Sequence, residues 1–205
     1  MDSEIIVKKL TNENLADYEK LTKHGDDGNL CYCSFWHQKW ASMDEYKKIQ
    51  KENPERLKSC VIDRVKSGFH VGIIAYEKNI PIAWVCVGPL IDFYWAWQRV
   101  VQIGEKARTT AGILCFAVPE EFRNQGTQKR VLLALKEYGK TNGWSAIEAY
   151  PFSDYAIAKY GKSLLWAGRR KKFEQAGFKL VGEHWLSSSD VIRHIYKMPL
   201  TLSEE

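Results

Sequence analysis

Cys115-Phe116-Ala117-Val118-Pro119-Glu120-Glu121-Phe122-Arg123-Asn124-Gln125-Gly126-Thr127-Gln128 is the stretch from which the fold is read. With Gly112, Ile113 and Leu114 before it, its apolar start forms a continuous run, the pattern of a strand buried on both faces. Pro119 ends that run, and a short polar loop leads to Gly126. From there Val131, Ala134, Leu135 and Tyr138 share one stripe at helical spacing, which predicts a helix over 126–142. The amides that open a helix have no intrahelical partner and lie at the positive end of its dipole, so they form an anion site. Gly126 has no Cβ to keep a phosphate away from the backbone. The turn therefore predicts a phosphate-bearing ligand; the bland alternative is a glycine present only for the turn.

Outward from this unit, Ala146–Tyr150 reads as the next strand, and Gly143 as the end cap of the intervening helix. Gly161 to Ala176 has helical composition and stops at Gly177; Phe178–Gly182 and Arg193–Met198 read as strands. Upstream, His70–Glu77 and Ile80–Val87 flank Lys78-Asn79 as a β-hairpin. Ile5–Val7 is a short strand, followed by a helix from Thr11 or Asn12 towards Lys23 and a loop over 24–29. Residues 44–66 are helical with a break at Asn53-Pro54, and 92–108 is irregular and aromatic. The predicted order is β-α-α-β-β-β-α-β-α-β-β: one α/β domain of the α+β type over 1–205, a mixed central sheet flanked by helices.

Composition sets limits on function. The chain has 205 residues, 45% hydrophobic and 27% charged, with a net charge of +5. That suits one ordinary globular core. The only dense basic run is Arg169-Arg170-Lys171-Lys172, which reads as a solvated helix face, so no nucleic-acid partner is expected. The five cysteines are scattered at 31, 33, 60, 86 and 115, and two lie in apolar runs, the usage of a reduced protein. The start Met1-Asp2-Ser3-Glu4 lacks the basic and apolar regions of a secretory signal, and no apolar run nears the ~20 residues of a membrane span. These features predict a soluble, cytoplasmic protein with no membrane partner.

Val118-Pro119-x-x-Phe122-Arg123-x-Gln125-Gly126 resembles the acetyl-CoA-binding motif of the GNAT acetyltransferases, and Phe173-Glu174-Gln175-Ala176-Gly177-Phe178-Lys179-Leu180-Val181-Gly182-Glu183 resembles that family's closing helix–Gly-Phe–strand element. The likeness runs from residue 5 to about 199 and is strongest over 111–183. A bacterial subgroup without assigned substrates is similar at Cys31-Tyr32-Cys33, Cys115-Phe116-Ala117-Val118, Glu148-Ala149-Tyr150-Pro151, and Gly168 with Phe173. The resemblance implies a GNAT fold and acetyl transfer from acetyl-CoA to a primary amine of a small molecule or peptide, in a ternary complex. It implies that Phe116, Ala117 and Val118 pair with pantetheine, and that Arg123, Asn124, Gln125, Gly126, Thr127, Gln128 and Lys129 hold the diphosphate. Three positions depart from the pattern. Gln128 replaces a Gly or Ala, and would crowd or re-aim the phosphate turn. Phe173 and Trp166 stand where many members place an acid tyrosine and a pantetheine-touching asparagine.

With that tyrosine missing, Glu148 is the candidate base, through water, or else a salt-bridge partner. Tyr150, Tyr155 and Tyr160 are candidate acids or packing residues, with Tyr150 and Tyr155 the leading candidates. The aromatic segments around Tyr32, Trp36, Tyr94 and Trp95 form either the acceptor pocket or a core cap or dimer face; a monomer and a homodimer both fit. Cys31, Cys33 and His37 are one ligand short of a structural zinc, so no metal is expected. Cys115 as an acyl-carrying nucleophile lacks a histidine partner in sequence. The rival to an enzyme is a non-catalytic acyl-CoA sensor.

Overall fold

The computed structural model describes residues 4–22 and 31–200, with the backbone alone at 162 and 163. The predicted loop over 24–29 and the C-terminal residues 201–205 lie outside that range. In chain order the elements are β1 (Ile5–Lys9), α1 (Leu15–Thr22), α2 (Met43–Glu52), α3 (Pro54–Lys66), β2 (Ile73–Glu77) and β3 (Ile80–Pro89). They continue with α4 (Trp97–Ile103), β4 (Thr110–Ala117), α5 (Thr127–Thr141), β5 (Ala146–Ala149), α6 (Asp154–Tyr160), α7 (Arg170–Gln175), β6 (Lys179–Glu183) and β7 (His194–Pro199), with short 3-10 turns between. The strands form one mixed sheet in the order β1-β2-β3-β4-β5-β7-β6. All neighbours are antiparallel except β4 and β5, which run parallel. Among the described residues no helix is long and apolar enough to cross a membrane.

Local chemistry accounts for most boundaries. Asn53 caps α2 and precedes Pro54, whose ring suits the first turn of α3 and not the interior of one long helix. Lys78 and Asn79 both take positive φ, 49° and 66°, as the tight turn of the β2–β3 hairpin requires. The helix expected over 161–176 is instead a 3-10 stretch, Gly161–Ala167, followed by α7. Gly168 separates them at φ +78°, a conformation that no right-handed helix continues through. Sequence pattern also left α4 and α6 unmarked, each being only seven residues long.

The period-two alternation of the central strands divides the core into two layers. Trp84, Cys86 and Cys115 face one side, packed by Tyr18 and Leu21 of α1, Leu57 and Val61 of α3, and Trp36. Val85, Val87 and Phe116 face the other, packed by Val131, Leu132 and Leu135 of α5 and Phe173 of α7. Burying such a side chain contributes about 1.5–3 kcal/mol, so these two layers hold the helices on the sheet.

One irregularity positions the site. Cys86 pairs with Cys115 and Val87 with Ile113, so Leu114 is an extra, unpaired residue and β4 bends there. Before the bulge, Thr110–Ile113 pair with Ala146–Ala149 of β5. Beyond it, β4 keeps β3 on one side only, while the chain after β5 turns to residues 192–194, with Phe152 bridged to Arg193. The sheet thus opens into a wedge between the end of β4 and the continuation of β5.

Candidate active site

A cavity of about 400 Å³ opens at the wedge. Cys115, Phe116 and Ala117 of β4 form one wall; Phe152, Trp166, Leu186 and Arg193 form the wall across from it. Cys31, Cys33, Phe35 and Trp36 close a third side together with Met43, Tyr46 and Gln50, which α2 presents at helical spacing. Tyr32 and Cys33 take left-handed φ values of 48° and 50°, an uncommon choice for non-glycine residues that surrounding contacts must hold in place. The Tyr18 hydroxyl does so by donating to the Tyr32 carbonyl at 2.6 Å, and Trp84 Nε1 by donating to Cys33 Sγ at 3.3 Å.

At the mouth of the wedge the chain leaves β4 through Pro119 and a 3-10 turn and enters α5. Arg123 Nε donates to the Val118 carbonyl at 2.7 Å, Gln125 Nε2 to that of Glu121 at 2.6 Å, and Thr127 Oγ1 to that of Phe122 at 2.5 Å. These side chains tie the loop to itself. The first ladder bond of α5 is Arg130 N–H to the Gly126 carbonyl, so the amides of Thr127, Gln128 and Lys129 precede it. Gly126 stands at φ +76° with open space where a Cβ would be. Gln128 does not crowd this turn. Its side chain folds towards α7, where Oε1 accepts from Arg169 N–H at 3.3 Å.

The predicted catalytic residues lie elsewhere. Glu148 is fully buried, and both its oxygens are engaged: Oε2 with Arg99 Nε at 2.9 Å and the Tyr150 hydroxyl at 3.1 Å, Oε1 with Arg99 Nη2 at 2.8 Å and Lys197 Nζ at 3.5 Å. The carboxylate holds the Arg99 guanidinium above its usual pKa, and burial pushes the Tyr150 hydroxyl well up. Neither Glu148 nor Tyr150 lines the cavity, and Tyr155 is 61% exposed on α6. The geometry therefore gives Glu148 the salt-bridge place that its sequence left open beside the catalytic one. Phe173 is fully buried, its ring edge-on to Phe116 and Phe178.

The aromatic segments divide. Trp36 lines the cavity, and Trp95 stacks behind Phe35 at 5.1 Å with its Nε1 donating to Gln38. Tyr32 is buried beneath, and Tyr94 is 41% exposed, edge-on to Trp95. Phe116, Ala117 and Arg123 line the cavity; Asn124, Gln125, Gly126 and Lys129 are exposed around the turn. Cys33 and His37 meet different partners: the Cys33 thiol lies 2.9 Å from Cys115 Sγ and His37 Nε2 lies 3.7 Å from Cys86 Sγ. Among the described residues no three potential metal ligands gather.

Several lining residues carried little signal in sequence. Met43, Tyr46 and Gln50 share a helix face and were readable by spacing. Phe152 and Arg193 were not, because tertiary pairing beyond β5 brings them together. Arg193 is 4% exposed, and its Nε and Nη2 both donate to the Tyr150 carbonyl, at 3.1 and 3.0 Å. Burial lowers its pKa to about 9. No carboxylate and no histidine is among the described residues lining the cavity.

No protein-family model matches the chain, and no curated protein matches it. Solved structures do. AAC(6')-Ib in complex with ribostamycin and coenzyme A is similar at TM-score 0.58 and 14% identity, over 96% of this chain and 93% of that one. PaiA N-acetyltransferase from Thermoplasma acidophilum in complex with coenzyme A gives 0.52 and 14%, over 96% and 99%. An acetyltransferase of the GNAT family from Streptococcus pneumoniae gives 0.54 and 9%, over 97% and 100%. At such identities the likeness lies in the arrangement of the elements. The chain has the GNAT acetyltransferase fold.

Proposed function

We propose that this protein is an acyltransferase that binds acetyl-CoA and passes the acetyl group to a primary amine, of a small molecule or a peptide, held in the aromatic cavity. The observation that carries this reading is the free edge of β4 beyond Leu114, which opens into the cavity beside the amides that begin α5. Amides from Asn124 to Lys129 would receive the diphosphate, and the edge at Phe116–Val118 would pair with the pantetheine amides as a strand does. The fold it shares with proteins crystallised with coenzyme A supports the same ligand.

In the proposed reaction the amine nitrogen attacks the thioester carbonyl, an edge N–H near Val118 stabilises the oxyanion, and the C–S bond breaks. The amide forms, and the thiolate leaves with both bonding electrons. A thiol with a pKa near ~8.5 leaves readily near neutral pH, so an acid is of modest value. The ammonium proton goes to water, since Glu148 is fully engaged with Arg99, Lys197 and Tyr150. Glu148 and Tyr150 then serve as positioning residues that fix the β5 side of the wedge, and Cys115, next to Cys33 and with no histidine among the described lining residues, stays outside the chemistry. Cysteines that form no disulfide among the described residues fit a cytoplasmic, reducing setting.

Calorimetry with coenzyme A tests the binding step: saturable heat is expected, and its absence overturns the proposal. Release of free thiol from acetyl-CoA over an amine panel tests the transfer. A second reading, a non-catalytic acyl-CoA sensor, draws on the buried Phe173 and on a cavity lining without a carboxylate or histidine. Coenzyme A binding without thiol release for any acceptor would select it.

A further inference from the structure

Arg193 is the buried charge that the proposed reaction does not use. It sits just before β7, within 5.6 Å of the Trp36 ring centroid, 4.7 Å of Phe152 and 5.2 Å of Trp166. Among the described residues its five N–H donors make two hydrogen bonds, both to one carbonyl oxygen, which leaves three donors. Among the described residues no Asp or Glu forms an ion pair with it, and Nη1 makes no hydrogen bond. Burying an unpaired guanidinium is costly, and cation–π contact returns only part of that cost. The residue lines the cavity, so the uncompensated charge faces the space where a substrate would lie. Arg123 is the only other charged side chain in the described lining, and it too is positive.

We infer that Arg193, caged by Trp36, Phe152 and Trp166, is a carboxylate-binding subsite, so that one of the two reactants carries a carboxylate close to the reacting centre. A planar guanidinium with unused donors on one edge matches a carboxylate in a two-point contact. The rings around it exclude water and make that contact selective. A polycationic amine would bring further positive charge to a cavity whose described lining holds no acid to receive it. The carboxylate belongs either to the acceptor, as in an amino acid, or to the acyl chain, as in a dicarboxylic acyl-CoA. This inference rests on the acyl-transfer reading for its role, but not for its binding.

The test has a ligand side and a protein side. Thiol release is measured on the wild type with acetyl-CoA and paired acceptors, an α-amino acid against its carboxamide and a ω-amino acid against the simple amine. In a second arm, succinyl-CoA is compared with acetyl-CoA on an uncharged amine. A preference of about 10- to 100-fold in kcat/KM for the carboxylate-bearing member is expected in one arm, which also tells the two sources apart. Arg193→Gln should abolish that preference, and Arg193→Lys should keep part of it. If Arg193→Gln does not fold, the ligand-side comparison on the wild type still decides. Independently of turnover, tryptophan fluorescence is titrated with glutarate and with glutaramide. A saturable change with glutarate alone supports the subsite even if coenzyme A gives no heat, in which case only the transferase reading falls. Equal rates for the carboxylate-bearing and the neutral members in both arms, or equal response to glutarate and glutaramide, overturn the subsite and leave the transferase reading standing.

Discussion

Glu148→Gln separates the structural and catalytic roles of this side chain. In the folded protein the carboxylate meets Arg99 through two parallel bonds, at 2.8 and 2.9 Å, with Lys197 and the Tyr150 hydroxyl completing its shell. A glutamine keeps one oxygen and turns the other into a donor that faces a donor, so Arg99, whose side chain is 15% exposed, loses its anion. Removing one member of a buried pair costs about 3–5 kcal/mol. The retained oxygen and the partial exposure of Arg99 favour the lower end, about 3 kcal/mol. For a chain of this size that lowers Tm by roughly 6–12 °C. Differential scanning calorimetry measures it, and the double-mutant cycle with Arg99→Gln should give a coupling of about 1–3 kcal/mol. At a temperature well below both transitions, coenzyme A affinity and turnover should remain within a few-fold of the wild type. A Tm shift of less than 2 °C with additive single mutants would refute the paired role. A collapse of turnover at unchanged Tm would show Glu148 to be the base after all.

Three imidazoles, His37 and His184 buried and His70 half-buried, make the fold sensitive to acid. Burial lowers His37 to about 3, His70 to about 4 and His184 to about 2, against 6.5 when unfolded. Between pH 6.5 and 4 the unfolded chain binds more protons, so stability falls as pH falls, by about 2 kcal/mol per imidazole at pH 5. Urea midpoints from pH 7 to 5 should drop steeply, and His37→Gln should flatten the slope by about a third; a flat profile would refute neutral burial. Gly168→Ala should cost about 2–4 kcal/mol, because a Cβ there meets Gln128 Nε2 at 2.7 Å and the Phe173 ring at 2.8 Å in a left-handed residue. Gly126→Ala, with open space around it, should cost only the backbone term of about 1–2 kcal/mol; equal Tm losses would contradict that contrast.

Residue pattern alone was enough for the strand–turn–helix unit over 112–142, because apolar runs, helical stripes and a glycine at the junction are local signals. It was also enough for the hairpin at Lys78-Asn79, the break at Asn53-Pro54 and the resemblance carried by Val118–Gly126. It did not mark Gly168 as the end of one helical segment and the start of another, since that glycine's role depends on Gln128 and Phe173, which arrive from other elements.

The site divides the same way. Phe116, Ala117, Val118 and the amides near Gly126 could be named from sequence as the proposed cofactor site, since that proposed use depends on backbone that a few neighbouring residues shape. Only the tertiary structure decided where charge goes. Glu148 and Arg99 are 49 positions apart, and Arg193 meets the Tyr150 carbonyl across 43. Whether a carboxylate is free or held, and whether a guanidinium is paired or left facing a cavity, depends on such distant contacts. Electrostatic environment is set by what surrounds a group in space, and local residue order carries no record of it.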